Sequence, residues 1–243
     1  MQSTKIWAHR GASGYAPENT MSAFKLAVAQ EADGVELDIQ LTKDGEIVIV
    51  HDEKLDRVSD YKGFVCDYTF EEIKKIDVSR PIPSFGFERI PTLAEVLEEL
   101  RPTNLSINIE CKNGIVNYPM LEEQMIRLVQ DMGMTDRIWC SSFNHESVKK
   151  VMQLCPEMKT GFLISDVILD VAEYTKRNGA LALHPSIYHM RDKELINKCR
   201  AQGLAIHVWT VNRVEDMQKM CKAGVDAMIT NYPDVAKRVV ERL

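Results

Sequence analysis

The stretch that decides the fold is Gly34-Val35-Glu36-Leu37-Asp38-Ile39-Gln40-Leu41-Thr42-Lys43-Asp44-Gly45-Glu46-Ile47-Val48-Ile49-Val50-His51. Residues 34–41 alternate apolar with polar, the period of a β-strand, so Glu36 and Asp38 share one face. Asp44-Gly45 between two apolar runs is a strong hairpin signal. Residues 47–51 then return antiparallel along the first run, and His51 arrives roughly across from Asp38. One short segment therefore gathers two carboxylates and an imidazole.

The same rhythm of short apolar runs extends outward to both ends of the chain. Strand candidates lie at 5–9, 34–41, 105–110, 138–142, 160–164, 180–184, 204–209 and 227–230. Amphipathic segments fall between them at 20–30, 93–100, 120–132, 145–154, 167–178, 192–202, 214–223 and 234–243. Helix follows strand each time, which calls for a parallel sheet. Eight such units in 243 residues match the size of an α/β (β/α)8 TIM barrel. A doubly wound open sheet is the alternative, but no GxGxxG follows the first strand. Residues 52–91 interrupt the rhythm as an insertion of about 40 residues after the hairpin, too long for a bare loop. The reading is one domain over residues 1–243, with a short helix at 70–76 inside the insertion.

Composition removes several classes of function. The net charge of −6 and the lack of a basic cluster argue against nucleic acid as a partner. An acidic chain that takes an anionic substrate needs local cations at its site. None of the six cysteines has CxxC spacing, so reduced thiols in a cytoplasmic protein are expected. No signal peptide is evident, and no apolar run of about 18 residues occurs, so membrane spanning is not expected.

In such a barrel, chemistry gathers at the C-terminal ends of the strands. His9-Arg10, Glu36, Asp38, Glu110, Lys112, Phe143, His184 and Trp209 fall at or near those ends. Glu36, Asp38 and Glu110 form an all-oxygen set suited to one hard divalent cation, Mg²⁺ or Ca²⁺. The competing reading pairs them with Arg10 and Lys112 as structural salt bridges. His9 and His51 flanking the set suit general acid–base work, since imidazole titrates near neutral pH. Service as metal ligands is the alternative for the two rings. Arg10 and Lys112 supply cations for a phosphate. Phe143 should wall the pocket, Trp209 should point into the barrel mouth and pack on substrate, with a plain barrel-core tryptophan as the alternative, and Glu18 should brace Arg10. His207 reads as core, and His184 reads at least as well in a structural role as against substrate. His145 and His189 are expected in solvent. Asn19 or Thr20 should cap the first helix, and the methionines at 120, 125, 132, 152, 217 and 220 should fill the core.

These residues also carry a resemblance. His9-Arg10-Gly11, Pro17-Glu18-Asn19-Thr20, the run from Gly34 to Gly45, His51-Asp52, Ile109-Glu110-Cys111-Lys112, Ser142-Phe143 and Trp209-Thr210-Val211-Asn212 are similar, in order, to the motifs of the glycerophosphodiester phosphodiesterase family. The resemblance implies a phospholipase-C-like barrel that hydrolyses glycerophosphodiesters to sn-glycerol 3-phosphate and an alcohol. It implies His9 and His51 as the acid–base pair, Glu36, Asp38 and Glu110 on the cation, and Arg10 and Lys112 on the phosphate. A cyclic phosphate formed by the glycerol 2-hydroxyl is the expected intermediate, with direct attack by water as the alternative. Cys111 replaces a more usual aliphatic residue and should point away from the site. Arg57-Val58-Ser59 departs from a threonine-rich run, which bears on head-group preference.

Two other functions fit part of the pattern. A lysophospholipase D would need an apolar entrance, for which Phe64, Phe85 and Phe87 are candidates. No basic amphipathic helix or hydrophobic anchor is apparent, so soluble small-molecule diesters and no stable membrane insertion are expected. A catalytically inactive barrel that binds a phosphate ester would not need all five site residues. A homodimer is compatible with the sequence, which does not argue for one.

Overall fold

The computed structural model describes residues 3–192 and 194–242. Eight parallel strands close into a barrel: β1 (Lys5–His9), β2 (Gly34–Leu41), β4 (Ser106–Cys111), β5 (Ile138–Ser142), β6 (Lys159–Ile164), β7 (Ala182–Pro185), β8 (Ala205–Val208) and β9 (Ala227–Thr230). Pairing of β1 with both β2 and β9 completes the ring. Helices α1 (Met21–Ala29), α3 (Leu93–Leu100), α4 (Leu121–Asp131), α5 (His145–Leu154), α6 (Val171–Arg177), α7 (Leu195–Ala201), α8 (Val214–Ala223) and α9 (Pro233–Val240) pack outside it. This is the TIM barrel that the strand–helix rhythm predicted.

Strand β2 shows why the parallel reading works. Every one of its residues is buried, Val35, Leu37 and Ile39 under the helices and Glu36, Asp38 and Gln40 towards the barrel interior. Helix starts follow local chemistry. The Thr20 hydroxyl accepts from the Ala23 amide at α1, Thr92 and Glu95 form a reciprocal capping box at α3, and Asn144 caps α5.

The hairpin forms as read. Strand β3 (Ile47–Ile49) runs antiparallel to β2, and Gly45 takes a positive φ of 87° in the turn. The register pairs Ile39 with Ile49, and the Val50 amide donates to the Asp38 carbonyl at 3.0 Å. Val50 thus stands opposite Asp38, and His51 lies one residue further on. The insertion buries its own small core of Val48, Val50, Leu55, Val58, Val65, Ile73, Ile76, Val78 and Ile90. Its short helix, α2 (Phe70–Ile73), ends three residues earlier than expected.

Several boundaries need correction. The sixth helix begins at Val171 and not at 167, because Val167, Ile168 and Leu169 form an exposed loop whose apolar residues extended the apparent helical period. The seventh starts at Leu195, and Lys193 of the expected span lies outside the described residues. The last helix runs Pro233–Val240; Leu243 of its expected span also lies outside the described residues. Met120 is no core filler: it is half exposed and takes a positive φ before α4.

The barrel interior below the site is filled with rings. Trp7 and Trp139 lie 4.4 and 4.7 Å from the His207 ring, and His207 Nδ1 is 2.8 Å from His184 Nε2. Gly161 on β6 makes room for this pair: a Cβ there would come within 2.3 Å of the His184 ring.

Candidate active site

At the C-terminal end of the barrel a cavity of about 360 Å³ is lined by His9, Arg10, Glu36, His51, Asn108, Glu110, Lys112, Phe143, Leu163, Trp209 and Ile229. Nine of the ten residues predicted for the site line it or, like Asp38, lie against those that do; Glu18 stands behind Arg10. A larger cavity of about 750 Å³ opens at the opposite end, around Trp7, Trp139 and His207, and contains none of the ten.

The carboxylates come first in the electrostatics. Parallel registers set Asp38 beside Glu110 and Glu36 beside Asn108. One oxygen from each of Glu36, Asp38 and Glu110 lies within 4.8 Å of the others, and all three residues are buried. Burial, followed by Asp38 and Glu110, pushes the Glu36 carboxyl well above its ordinary value. Burial and then Asp38 likewise raise Glu110. For Asp38, burial acts upward, but Arg10, His51, Lys112 and the Asn19 hydrogen bond outweigh it and hold the carboxyl below its ordinary range.

The expected salt bridges are present as well. Lys112 Nζ donates to Glu110 Oε1 at 2.9 Å, and Arg10 Nε lies 3.5 Å from Asp38 Oδ2. Two cations do not neutralise three carboxylates, and Arg10 also spends a bond on Glu18 at 2.8 Å. Asp38 Oδ1, Arg10 Nε and Asn108 Oδ1 remain buried without hydrogen-bond partners. Mutual repulsion, raised carboxyls and an orphaned carboxylate oxygen are what a hard cation would relieve, so the donor set fits a divalent ion.

The two rings differ in their backing. His9 Nδ1 meets Asn231 Oδ1 at 2.7 Å. An amide oxygen only accepts, so Nδ1 carries the proton and Nε2 is free towards Glu36 Oε2, 4.0 Å away. Burial, then the Arg10 charge, lowers the His9 pKa to about 4, and the ring is neutral at neutral pH. His51 Nδ1 meets Asp52 Oδ1 at 2.6 Å, and its Nε2 lies 3.2 Å from Lys112 Nζ. Asp52 is held ionised by the His51 bond and by Arg57, whose Nε donates to Oδ2 at 2.6 Å. Arg57 also donates to both Glu18 oxygens, which links the two sides of the mouth.

Several of these partners escaped the sequence reading. Gln40 donates from Nε2 to the carbonyls of Val50, His51 and Asp52 at 2.8–3.1 Å and accepts from the Tyr118 hydroxyl at 2.8 Å. It fixes the hairpin end that carries His51. Its place two residues after Asp38 on the same strand face was the available signal. Asn231 follows β9 and could have been found from the strand-end rule alone. Asn19 donates to Asp38 Oδ2 at 2.8 Å from a positive φ of 57°, leaving Thr20 as the helix cap. Nothing in the sequence marks Arg57 as the bridge between Asp52 and Glu18.

The apolar wall is formed by Phe143 and Trp209, whose rings meet edge to face at 5.5 Å, and Trp209 Nε1 donates to the His184 carbonyl at 2.8 Å. Cys111 points away from the site, buried with Cys140. His145 and His189 are corrected. His145 stacks on Phe162 at 4.0 Å and bonds to the Tyr174 hydroxyl and the Leu163 carbonyl, and His189 is buried with Nε2 2.9 Å from the Asp166 carbonyl.

Known proteins share this arrangement of strands. Residues 9–235 match the glycerophosphoryl diester phosphodiesterase family. A glycerophosphodiester phosphodiesterase of Caldanaerobacter subterraneus subsp. tengcongensis is 43% identical over 240 residues, 98% of each chain. One from Bacillus altitudinis is 41% identical over 243 residues, 99% of each chain. Among solved structures, an Oleispira antarctica phosphodiesterase in complex with its product sn-glycerol-3-phosphate superimposes with a TM-score of 0.90 at 28% identity, covering 98% of this chain and 97% of that one.

Proposed function

The chain belongs to the glycerophosphoryl diester phosphodiesterase family, and from that membership we propose that it hydrolyses soluble glycerophosphodiesters to sn-glycerol 3-phosphate and an alcohol. The observation that carries the reading is the convergence of two separately braced histidines on one buried three-carboxylate cluster within a single pocket.

Glu36, Asp38 and Glu110 would hold one Mg²⁺ or Ca²⁺, which when bound supplies Lewis-acid stabilisation of charge on the phosphoryl group and the attacking hydroxyl. Arg10 and Lys112 face the same cavity and bind the non-bridging phosphate oxygens. They supply the local positive charge that an acidic protein needs for an anionic substrate. In the first step His9 accepts the proton of the glycerol 2-hydroxyl at Nε2. Burial and the Arg10 charge keep the ring neutral, and Asn231 holds Nδ1, so the ring enters the step uncharged with Nε2 free to accept. His51 delivers a proton to the departing alcohol from Nε2, with Asp52 on Nδ1 compensating the imidazolium charge. The resulting cyclic phosphate is opened by water with the roles exchanged. Phe143 and Trp209 pack on the carbon skeleton and limit water around the reacting phosphate.

A cytoplasmic location is part of the same proposal. All six cysteines are free, including Cys111 and Cys140 with sulfurs 3.8 Å apart, which fits a reducing compartment. Among the described residues, no helix is long and apolar enough to cross a membrane. Residues 1–243 act as one domain.

Release of glycerol 3-phosphate from glycerophosphocholine and glycerophosphoethanolamine is to be measured with Mg²⁺, with Ca²⁺ and with chelator. The expected result is release with at least one cation and none with chelator. Release that persists in chelator would remove the metal site from the account. A diester lacking the 2-hydroxyl should be inert; its hydrolysis at a normal rate would replace the cyclic intermediate with direct attack by water.

A further inference from the structure

The insertion at 52–91 builds its own small core, yet among the described residues none of its side chains lines the pocket. What it adds to the mouth is Arg57, at the end of a short 3-10 turn, Leu55–Arg57. That turn is anchored on both sides. Leu55 and Val58 are buried in the insertion core, and Arg80 Nη1 donates to the Asp56 and Ser59 carbonyls at 3.0 and 2.8 Å. The core of the insertion thus fixes the stem of one guanidinium.

Both edges of that guanidinium are occupied. Nε and Nη2 fork onto Asp52 at 2.6 and 3.1 Å, and Nη1 and Nη2 fork onto Glu18 at 2.8 and 2.6 Å. Asp52 continues to His51 Nδ1 at 2.6 Å, and Glu18 continues to Arg10 Nη1 at 2.8 Å. The result is an unbroken chain of alternating charge from Arg10 through Glu18, Arg57 and Asp52 to His51. Among the described residues, only His51 and Arg57 hydrogen-bond to the Asp52 carboxylate. Burial acts upward on Glu18, but the Arg57 bond and the Arg10 charge hold its carboxyl below the ordinary value. Exposed ion pairs add little to stability, and the Arg57 side chain is 45% exposed, so folding energy does not account for the chain. Geometry does: displacing a reacting group by about 1 Å can cost about 10²-fold in rate.

We propose that Arg57 is a positioning residue that holds His51, through Asp52, in line with the phosphate bound at Arg10, and that the insertion serves protonation of the leaving group in this way. The proposal rests on the diesterase reading of the same site. Arg57 exchanges no proton itself. In the step it serves, the bond from phosphorus to the head-group oxygen breaks, and that oxygen takes the proton from His51 Nε2. A lysine cannot replace it, because an ammonium is a point charge and does not fork onto two carboxylates at once.

The test compares two leaving groups on the full chain with Mg²⁺ or Ca²⁺ added. Glycerophosphocholine releases an alkoxide that needs a proton, whereas the 4-nitrophenyl ester of glycerol 3-phosphate releases a phenolate that departs without one. Release of the alcohol in a single turnover with enzyme in excess reads the first step alone. Arg57→Gln should slow release of choline about tenfold or more and release of nitrophenol by less than about threefold, with the enzyme concentration at half-saturation little changed. Arg57→Lys, which keeps the stem and the charge, should show the same selective loss. Asp52→Asn/Arg57→Gln should be no more than about threefold slower than Asp52→Asn, because both substitutions act through His51. Wild-type release of choline by Arg57→Gln would overturn the proposal. Equal losses on the two esters in both Arg57 variants would also overturn it, by making the residue structural, and so would a change confined to half-saturation, by assigning it to phosphate binding through Arg10. Failure of wild type on both esters would count against the diesterase reading, a separate result.

Discussion

Two pairs of histidines lie inside the same barrel, and they live in different chemistry. His9 and His51 stand apart across a cavity, each with Nδ1 held by its own partner and Nε2 turned inward. His184 and His207 bond to each other at 2.8 Å, with no solvent around the first and almost none around the second, between two tryptophans. Burial lowers the His184 pKa to about 3 and takes His207, beside it, well below its ordinary value. These two rings are spent on each other and lie away from the carboxylate pocket, His207 facing the cavity at the opposite end. On the proposed reading, access to the carboxylate pocket and the group behind Nδ1 separate a catalytic histidine from a structural one, while residue type and strand position do not.

The contrast can be broken most severely at the rings themselves. His51→Ala should cut kcat by about 10²–10⁴-fold, the usual contribution of a positioned acid or base, with the circular dichroism spectrum unchanged. His184→Asn should leave kcat within about threefold. Equal losses from both substitutions would erase the distinction.

A finer cut lies behind the rings. Asp52→Asn keeps the hydrogen-bond geometry and removes the charge, and should lower kcat by about 10–100-fold, as loss of an orienting partner does elsewhere. Asn231→Ala should cost less, because a neutral amide orients His9 without compensating charge. A larger effect at Asn231 than at Asp52 would exchange the proposed roles of the two rings.

The smallest effect concerns stability. His184 has a folded pKa depressed to about 3 against an unfolded value near 6.5. Between those values the unfolded chain binds the extra proton, so stability is fully present above about pH 6.5 and is lost as pH falls towards 3. The contribution of this ring should be about 1.4 kcal/mol per pH unit across that window. In urea unfolding at pH 7 and pH 5, His184→Asn should show a correspondingly shallower loss than wild type. Parallel losses would mean that the ring is not buried in its neutral form.

The fold was legible because its signals are local. Asp44-Gly45 announces a turn whatever surrounds it, and the alternation in residues 34–41 places Glu36 and Asp38 together before any tertiary contact is known. The candidate site was half legible for the same reason: His9, Glu110 and Lys112 stand at strand ends that the barrel rule points to. What could not be read depends on loops meeting in space. Arg57 joins Asp52 to Glu18 across 39 positions of sequence, and Asn231 reaches His9 from 222 positions away. His145 and His189 failed for a related reason: their positions after strand ends suggested solvent, but β6 and α6 pack on His145 and the loop after β6 covers His189. The apolar run 167–169 misled more directly, since exposed apolar residues mimic the buried face of a helix.

The most direct test of the central claim is the turnover of glycerophosphocholine by wild type and by His9→Asn, followed as glycerol 3-phosphate by phosphorus NMR with Mg²⁺ or Ca²⁺ added. The account predicts that wild type turns over and that His9→Asn, equally folded, loses at least about 10²-fold in kcat. A His9→Asn protein that releases glycerol 3-phosphate at the wild-type rate would contradict it.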